Sequence, residues 1–409
     1  MRSPIASVVM VILLTACSDR AALTGVRRTG RAAGDRAPGR EGRPLDGRPT
    51  MPPPATSDPA APLSQLQTMV AASLTQVPVP PDGYSHAADA VHPDLACAAA
   101  SWNTSQCWVT YTPYMGSDPQ WENPSFLTAQ NPTRWQLPDG VANPVIPWGG
   151  PGHYNSDPDQ AFDPGTGRLI TYYREVSGGF NNIYATSTGD GRHWSTPVLA
   201  FRERDHDAVS PAIVIDDDRT ARMWYVRSGV GCSSGNTSIR MRTAHPAASA
   251  AFERAVWSDP TDVALQQPGF TIWHLDVLAL PDHQGYVALY AAHAPTNDCA
   301  SNDLWIAISP DGVRWHTFPV PVMWRGMPAA RKLKVRTWYR GTMSYDAATD
   351  TLHLWPSALT ADGRWNVYHA AFDFSELVRT LLSATPADQP TDLLQQPSRV
   401  SAALRNRMP

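Results

Sequence analysis

The chain has 409 residues, 33 basic and 37 acidic side chains and a formal net charge of −4, which leaves no basic surface for nucleic acid. No glycine-rich loop stands between a strand and a helix to cradle a nucleotide phosphate, so nucleotide chemistry is excluded as well. None of the five cysteines has zinc-site spacing. The expected cofactor is therefore none; a calcium ion on the molecular axis among Asp157, Asp276 and His274 is the weaker alternative, without any calcium-loop signature.

In chain order, Met1-Arg2 is followed by an apolar run over residues 5–14 and then by Leu14-Thr15-Ala16-Cys17. This resembles a bacterial lipoprotein signal peptide over residues 1–16: a charged start, a short apolar core and a lipobox. The run is too short to span a bilayer as a helix. The resemblance implies cleavage before Cys17, acylation of that residue, and an exported protein held by its lipid at the bacterial envelope, on the outer membrane or cell surface. Residues 17–62 then read as a disordered tether. Between Ser18 and Pro62 stand eight Pro, six Gly and eight Arg against five acids, with almost nothing apolar to bury. Residues 63–83 are expected to hold a short docking helix over 63–77 and a lead-in, because Leu63, Leu66, Met69, Val70 and Leu74 share one helical face.

From 84 to 376 the chain repeats. Trp135, Trp194, Trp257 and Trp315 stand 59, 63 and 58 residues apart, a period that signals a propeller or solenoid. Two of these tryptophans close matching turns, Thr188-Gly-Asp190-Gly191-Arg-His-Trp194 and Ser309-Pro-Asp311-Gly312-Val-Arg-Trp315, and Thr128 to Trp135 is a worn copy. A short apolar strand precedes each turn position, starting at Ser125, Asn182, Ser238, Asp303 and Asn366. Upstream of each lies a hairpin of β-branched and aromatic runs around a turn. Five units of four short strands predict an all-β fold, a five-bladed β-propeller with four-stranded antiparallel blades. Asp163, Asp216 and Asp350 fall in the first turn of their units and read as turn formers. Residues 377–409, rich in Ala, Pro, Gln and Arg, are expected to be poorly ordered apart from a turn of helix over 375–382.

The Asp190 and Asp311 turns resemble the Asp-box of sialidases and other bacterial neuraminidase-repeat proteins, while the five-unit count resembles the five-bladed glycoside hydrolases. An Asp-box is structural, so the resemblance implies architecture and not activity. The sequence also departs from both families. It lacks an Arg-Ile-Pro motif, has no glutamate at the start of an inner strand, and shows Asp-Pro one blade later than those hydrolases do. An exported protein favours disulfides. Cys97 and Cys107 flank the first hairpin turn of unit one, and Cys232 and Cys299 both follow the second strand of their units, which predicts the pairs Cys97–Cys107 and Cys232–Cys299.

In a propeller the starts of the inner strands and the ends of the second strands converge on one funnel, opposite the Asp turns. Those positions are polar here: His92-Pro-Asp94, Asp157-Pro-Asp159, His206-Asp-Ala-Val-Ser210, Trp273-His274-Leu-Asp276 and Tyr339-Arg340, with Arg174-Glu175, Arg227 and His293 at the second-strand ends. Glycoside hydrolysis needs two carboxyls held in opposite protonation states. Asp157 or Asp159 is the expected base or nucleophile, and Asp276 or Glu175 the acid. His92, Asp94, Arg174, Ser210, Arg227, His274, His293 and Arg340 are the expected substrate-binding residues, the arginines gripping hydroxyls or a carboxylate, and Trp273 and Trp148 the surfaces on which sugar rings stack. The expected function is a surface-anchored, monomeric glycoside hydrolase-like protein acting on an extracellular carbohydrate, without nucleic acid. The alternatives are a non-catalytic glycan-binding or adhesive propeller and an envelope scaffold for another protein.

Overall fold

The computed structural model describes residues 60–385 except 82–83, 85–88, 104, 164, 205, 217, 230–236, 247–250, 282–283 and 296–298. The expected signal peptide, Cys17, nearly all of the tether and most of the 377–409 tail lie outside the described residues, as does Cys232. A helix, α1 (Ala60–Ser73), leads into a three-residue strand, β1 (Thr75–Val77). The first blade follows as β2 (Ala90–Trp102), β3 (Ser105–Pro113), β4 (Ser125–Asn131) and β5 (Arg134–Gln136). The second is β6 (Tyr154–Asp163), β7 (Arg168–Ser177), β8 (Phe180–Thr188) and β9 (Val198–Arg204). The third is β10 (Val209–Ile215), β11 (Ala221–Arg227), β12 (Ser238–Ala244) and β13 (Thr261–Val263), and the fourth β14 (Thr271–Leu280), β15 (Gly285–His293), β16 (Asp303–Ser309) and β17 (His316–Thr317). After a one-turn helix, α2 (Pro328–Lys332), come β18 (Val335–Asp346), β19 (Thr351–Thr360) and β20 (Trp365–Asp373), then α3 (Phe374–Ser383). Each sheet is antiparallel with its first strand innermost, as the sixty-residue repeat requires.

The fifth blade takes its outer strand from the beginning of the fold: β1 pairs with β20, setting Thr75 against His369 and Val77 against Val367. This corrects the reading of 63–83 as a helix and lead-in ahead of the propeller. The helix ends at Ser73, where β-branched Thr75 and Val77 favour extended pairing over another helical turn. Leu66 and Val70 are buried as the helical face predicted, in one core cluster with Leu377, Val378 and Leu381 of α3. The Asp373 carboxylate caps α3 by accepting from the Glu376 N–H at 2.8 Å, so a full amphipathic helix stands where one turn was expected.

The two Asp turns show how neighbouring blades lock. Asp190 Oδ1 accepts from the N–H groups of Arg192 and His193, both at 2.8 Å; Asp311 Oδ1 does the same for Val313 at 2.9 Å and Arg314 at 2.8 Å. Gly191 and Gly312 have positive φ and press on Trp108 and Trp224 of the preceding blade, whose rings a Cβ would overlap. Trp194 packs on Phe126 with ring centroids 4.2 Å apart, which closes the gap between the first two blades. Cys97 and Cys107 form the expected disulfide across the β2–β3 turn. Cys299 is also disulfide-bonded.

Candidate functional site

Three inner strands open with the same step, His92-Pro93-Asp94, Asp157-Pro158-Asp159 and Ser210-Pro211-Ala212. Its first residue takes a left-handed φ of 52°, 50° and 54° in the three copies. The pairing register slips at each step, because proline cannot donate to the ladder and the extra residue bulges. Non-glycine residues in this region cost about 1–3 kcal/mol each and persist where surrounding structure over-determines them. The bulge divides the side chains around the axis into two layers.

The deeper layer stitches the blades together. Asp94 Oδ2 accepts from the Gln160 N–H (2.7 Å), Asp159 Oδ1 from Ile213 (2.8 Å), Ser210 Oγ from Leu275 (3.3 Å), Asp276 Oδ2 from Met343 (3.1 Å) and Thr342 Oγ1 from Leu95 (3.4 Å). Each bond joins one blade to the next, and together they close the ring. Arg340 is a buried plug in its centre, donating to Asp159 Oδ2 at 2.6 Å and to the carbonyls of Pro158, Pro211 and Leu275. Burial, and for Asp94 and Asp159 neighbouring carboxylates, push Asp94 up to about 7, Asp159 well above the usual range, and Asp276 upward. Asp159 and Asp276, expected as catalytic residues, and Asp94, Ser210 and Arg340, expected to bind substrate, thus all make bonds between blades.

The outer layer is different. Asp157 Oδ1 lies 3.2 Å from His92 Nε2 and 3.4 Å from His274 Nδ1, while its Oδ2 pairs with Arg174 Nε at 3.0 Å. His92, Asp157 and His274 are buried, on blades one, two and four, and Arg174 on blade two is buried with them. Thr112 Oγ1, 3.0 Å from His92 Nδ1, orients that ring and leaves Nε2 turned inward. His92 Nε2, both His274 nitrogens and Asp157 Oδ1 are buried without a hydrogen-bond partner among the described residues. Burial holds His92 down to about 3 and His274 well below the usual imidazole value. Burial also works against charge on Asp157, but Arg174, His92 and His274 outweigh it and hold that carboxyl well below the usual range. Two imidazoles and one carboxylate converge with ligand atoms that lack a hydrogen-bond partner among the described residues, a donor set that suits a divalent transition metal. Calcium prefers an all-oxygen shell, and Asp276, one of the three residues first considered for it, converges instead with Asp94 and Asp159 in the deeper layer, a second group of described residues that could hold a cation.

Glu122 completes this layer and was missed in the sequence. It follows a 3₁₀ turn (Pro119–Trp121) in the connection between β3 and β4, and its carbonyl accepts from the Asn155 N–H at 2.8 Å. Its carboxyl lies 3.6 Å from His92 Nδ1, and burial, then the charge of Asp157, push it well above the ordinary carboxyl value. The signal was an acid in a second-strand exit loop rather than at an inner-strand start. Tyr339 roofs the cluster, its ring centroid 4.3 Å from that of His274 and 5.3 Å from that of His92. Its hydroxyl accepts from Trp273 Nε1 at 3.4 Å, which makes the buried Trp273 a wall of the roof. Of the remaining expected residues, Glu175 stands at the rim beside His153. Arg227 is also at a strand end and pairs with Asp207, and His293 is buried with Nδ1 3.0 Å from the Ala294 carbonyl.

No family model matches the chain. It is 26% identical over 377 residues to the A type blood N-acetyl-alpha-D-galactosamine deacetylase of Flavonifractor plautii, a match covering 74% of this chain and 48% of that protein. The chain thus spans about half the length of the curated relative it matches. Among solved structures it is similar to an N-acetylgalactosamine deacetylase from F. plautii in complex with blood group B trisaccharide. That likeness has a TM-score of 0.66 and 23% identity, and covers 75% of this chain and 97% of that one. The Bacteroides ovatus xyloglucan protein GH43B gives a TM-score of 0.50 at 11% identity, covering 73% of this chain and 54% of the other. These structural likenesses establish the five-bladed propeller, and the proteins so matched are glycan-acting.

Proposed function

We propose that the chain is a metal-dependent amide hydrolase of glycans, removing the acetyl group from an N-acetylated amino sugar. The observation that carries this reading is the convergence of His92, Asp157 and His274 with unpartnered donor atoms. A relative named for N-acetylgalactosamine deacetylation supports the substrate class. His92, Asp157 and His274 would hold a divalent cation, which would supply Lewis-acid polarisation of the amide carbonyl. Arg174 fixes the Asp157 carboxylate, and Thr112 fixes the His92 ring, so the donors are set before anything binds. Glu122 takes a proton from the attacking water as the water oxygen bonds to the acetyl carbon. It delivers that proton to the sugar nitrogen as the C–N bond breaks, releasing acetate and the amine. Tyr339 and Trp273 exclude bulk water. The Asp190 and Asp311 turns read as Asp-boxes in their structural sense, far from this chemistry. The protein acts as a monomer on an extracellular carbohydrate, exported and anchored at the envelope through Cys17.

A second reading has its own observation: Asp157 and Glu122 are two neighbouring carboxyls, one held below the ordinary carboxyl value and the other pushed above it, the asymmetry glycoside hydrolysis needs. One assay separates the two. The protein is incubated with N-acetylgalactosaminides and a panel of glycans, with and without chelator, and acetate and reducing sugar are both measured. The expected result is acetate release, abolished by chelator, restored by Mn²⁺ or Zn²⁺, and lowered about 10²–10⁴-fold in Glu122→Gln. Chelator-resistant reducing-sugar release would establish the glycosidase instead. Binding without either product would leave a lectin-like propeller.

A further inference from the structure

Trp148 is the only exposed tryptophan among the described residues, at 41%. It lies in the connection from β5 to β6, on the face where inner strands begin, the same face as Glu122 and Asp157. An indole left in water forgoes the burial that stabilises the other tryptophans, about 25 cal/mol per Å² of apolar surface. Yet this one is held rigidly. Its Nε1–H donates to the His153 carbonyl at 2.9 Å, and Pro147 and Pro151 stiffen the loop around it. The Asn155 side chain donates to the Pro147 carbonyl at 3.3 Å and to Asn123 Oδ1 at 2.8 Å, while the Asn155 N–H bonds Glu122. One residue, two positions before Asp157, therefore pins both the exposed indole and the wall that carries Glu122.

Beside the indole runs a polar strip along blade two. His153 Nδ1 lies 3.4 Å from Glu175 Oε1, with side chains 42% and 21% exposed, and Glu175 Oε2 accepts from Asn182 Nδ2 at 2.7 Å. An apolar platform flanked by an imidazole and a carboxylate is the chemistry that recognises an uncharged pyranose. The ring C–H face lies on the indole and the hydroxyls reach the polar pair.

We propose that Trp148, His153 and Glu175 form a distal sugar subsite, so that the substrate is an oligosaccharide whose chain leaves the axial cluster across blade two and stacks a later residue on Trp148. This rests on the glycan-processing reading and adds to it the length and direction of the substrate. The test compares kcat/KM for a trisaccharide ending in N-acetylgalactosamine with that for methyl N-acetylgalactosaminide. In Trp148→Ala the ratio of the two falls about tenfold, through the KM of the trisaccharide. Trp148→Phe keeps most of the ratio, and Val256→Ser, a fully surface change, keeps all of it. An unchanged ratio in Trp148→Ala overturns the subsite. Should neither compound be turned over, the deacetylase reading fails and trisaccharide binding followed by tryptophan fluorescence decides the subsite alone. A weaker Kd for Trp148→Ala than for wild type supports it, whereas equal Kd values or no binding overturn it.

Discussion

Asp157 and Asp159 are two residues apart on one strand, yet they do different work. Asp157 is held by Arg174 and two imidazoles at the mouth of the axis, and Asp159 is tied to the Ile213 N–H and to Arg340 in its depth. Removing Asp159 leaves the Arg340 guanidinium buried without its carboxylate, an error that costs about 3–5 kcal/mol. Asp159→Ala is accordingly expected to shift the denaturant midpoint sharply, and Asp157→Asn to abolish both metal uptake and product release. Equal effects of the two substitutions on stability and activity would show that the layers are not separate. The sequence placed all four of Asp157, Asp159, His274 and Asp276 at inner-strand starts. It did not reveal how each pair divides between the layers, because that depends on the left-handed bulge at Asp157 and on the register shift between Ile272 and His274. Glu122 was invisible for another reason: it reaches the site from a loop, through a backbone bond to Asn155 on the next blade.

At the scale of the element, β1 is the piece that local pattern could not assign. Three residues, Thr75 to Val77, carry no periodicity, and the helical face of Leu63 to Leu74 runs directly into them. Their partner, β20, stands at the far end of the fold, as the Gln76–Asn366 side-chain bond shows. Val77 is buried against the fifth blade with Val367 and Trp355. A charge there has no partner and opens the seam, so Val77→Asp is expected to cost about 3 kcal/mol or more. Gln76→Ala, whose side chain is exposed, stays within about 0.5 kcal/mol. Thermal unfolding of both variants checks this. A small shift for Val77→Asp would mean that the ring does not depend on its strand closure.

For the whole molecule, the three metal-ligand candidates come from blades one, two and four, so a cation there ties together parts that only the fold brings near one another. Binding the folded state alone stabilises it by RT ln(1 + [L]/Kd), about 2.7 kcal/mol at a hundredfold excess over Kd. Chelator-treated protein is therefore expected to gain melting temperature on addition of Mn²⁺ or Zn²⁺, and to lose the gain in Asp157→Asn. No shift in the wild type would remove the metal from the proposed mechanism. What the sequence by itself determined was the five-bladed count, the hairpins, the Asp turns, the Cys97–Cys107 pair and the polar ring of inner-strand starts. All of these are written in turn residues and short-range alternation, which act over a few neighbouring positions. What only the tertiary structure decided was the closure of the ring by β1, the division of the axis into a bonding layer and a donor layer, and the arrival of Glu122 beside His92. Those depend on bulges and on hydrogen bonds between blades distant in the chain, and no local pattern encodes such contacts.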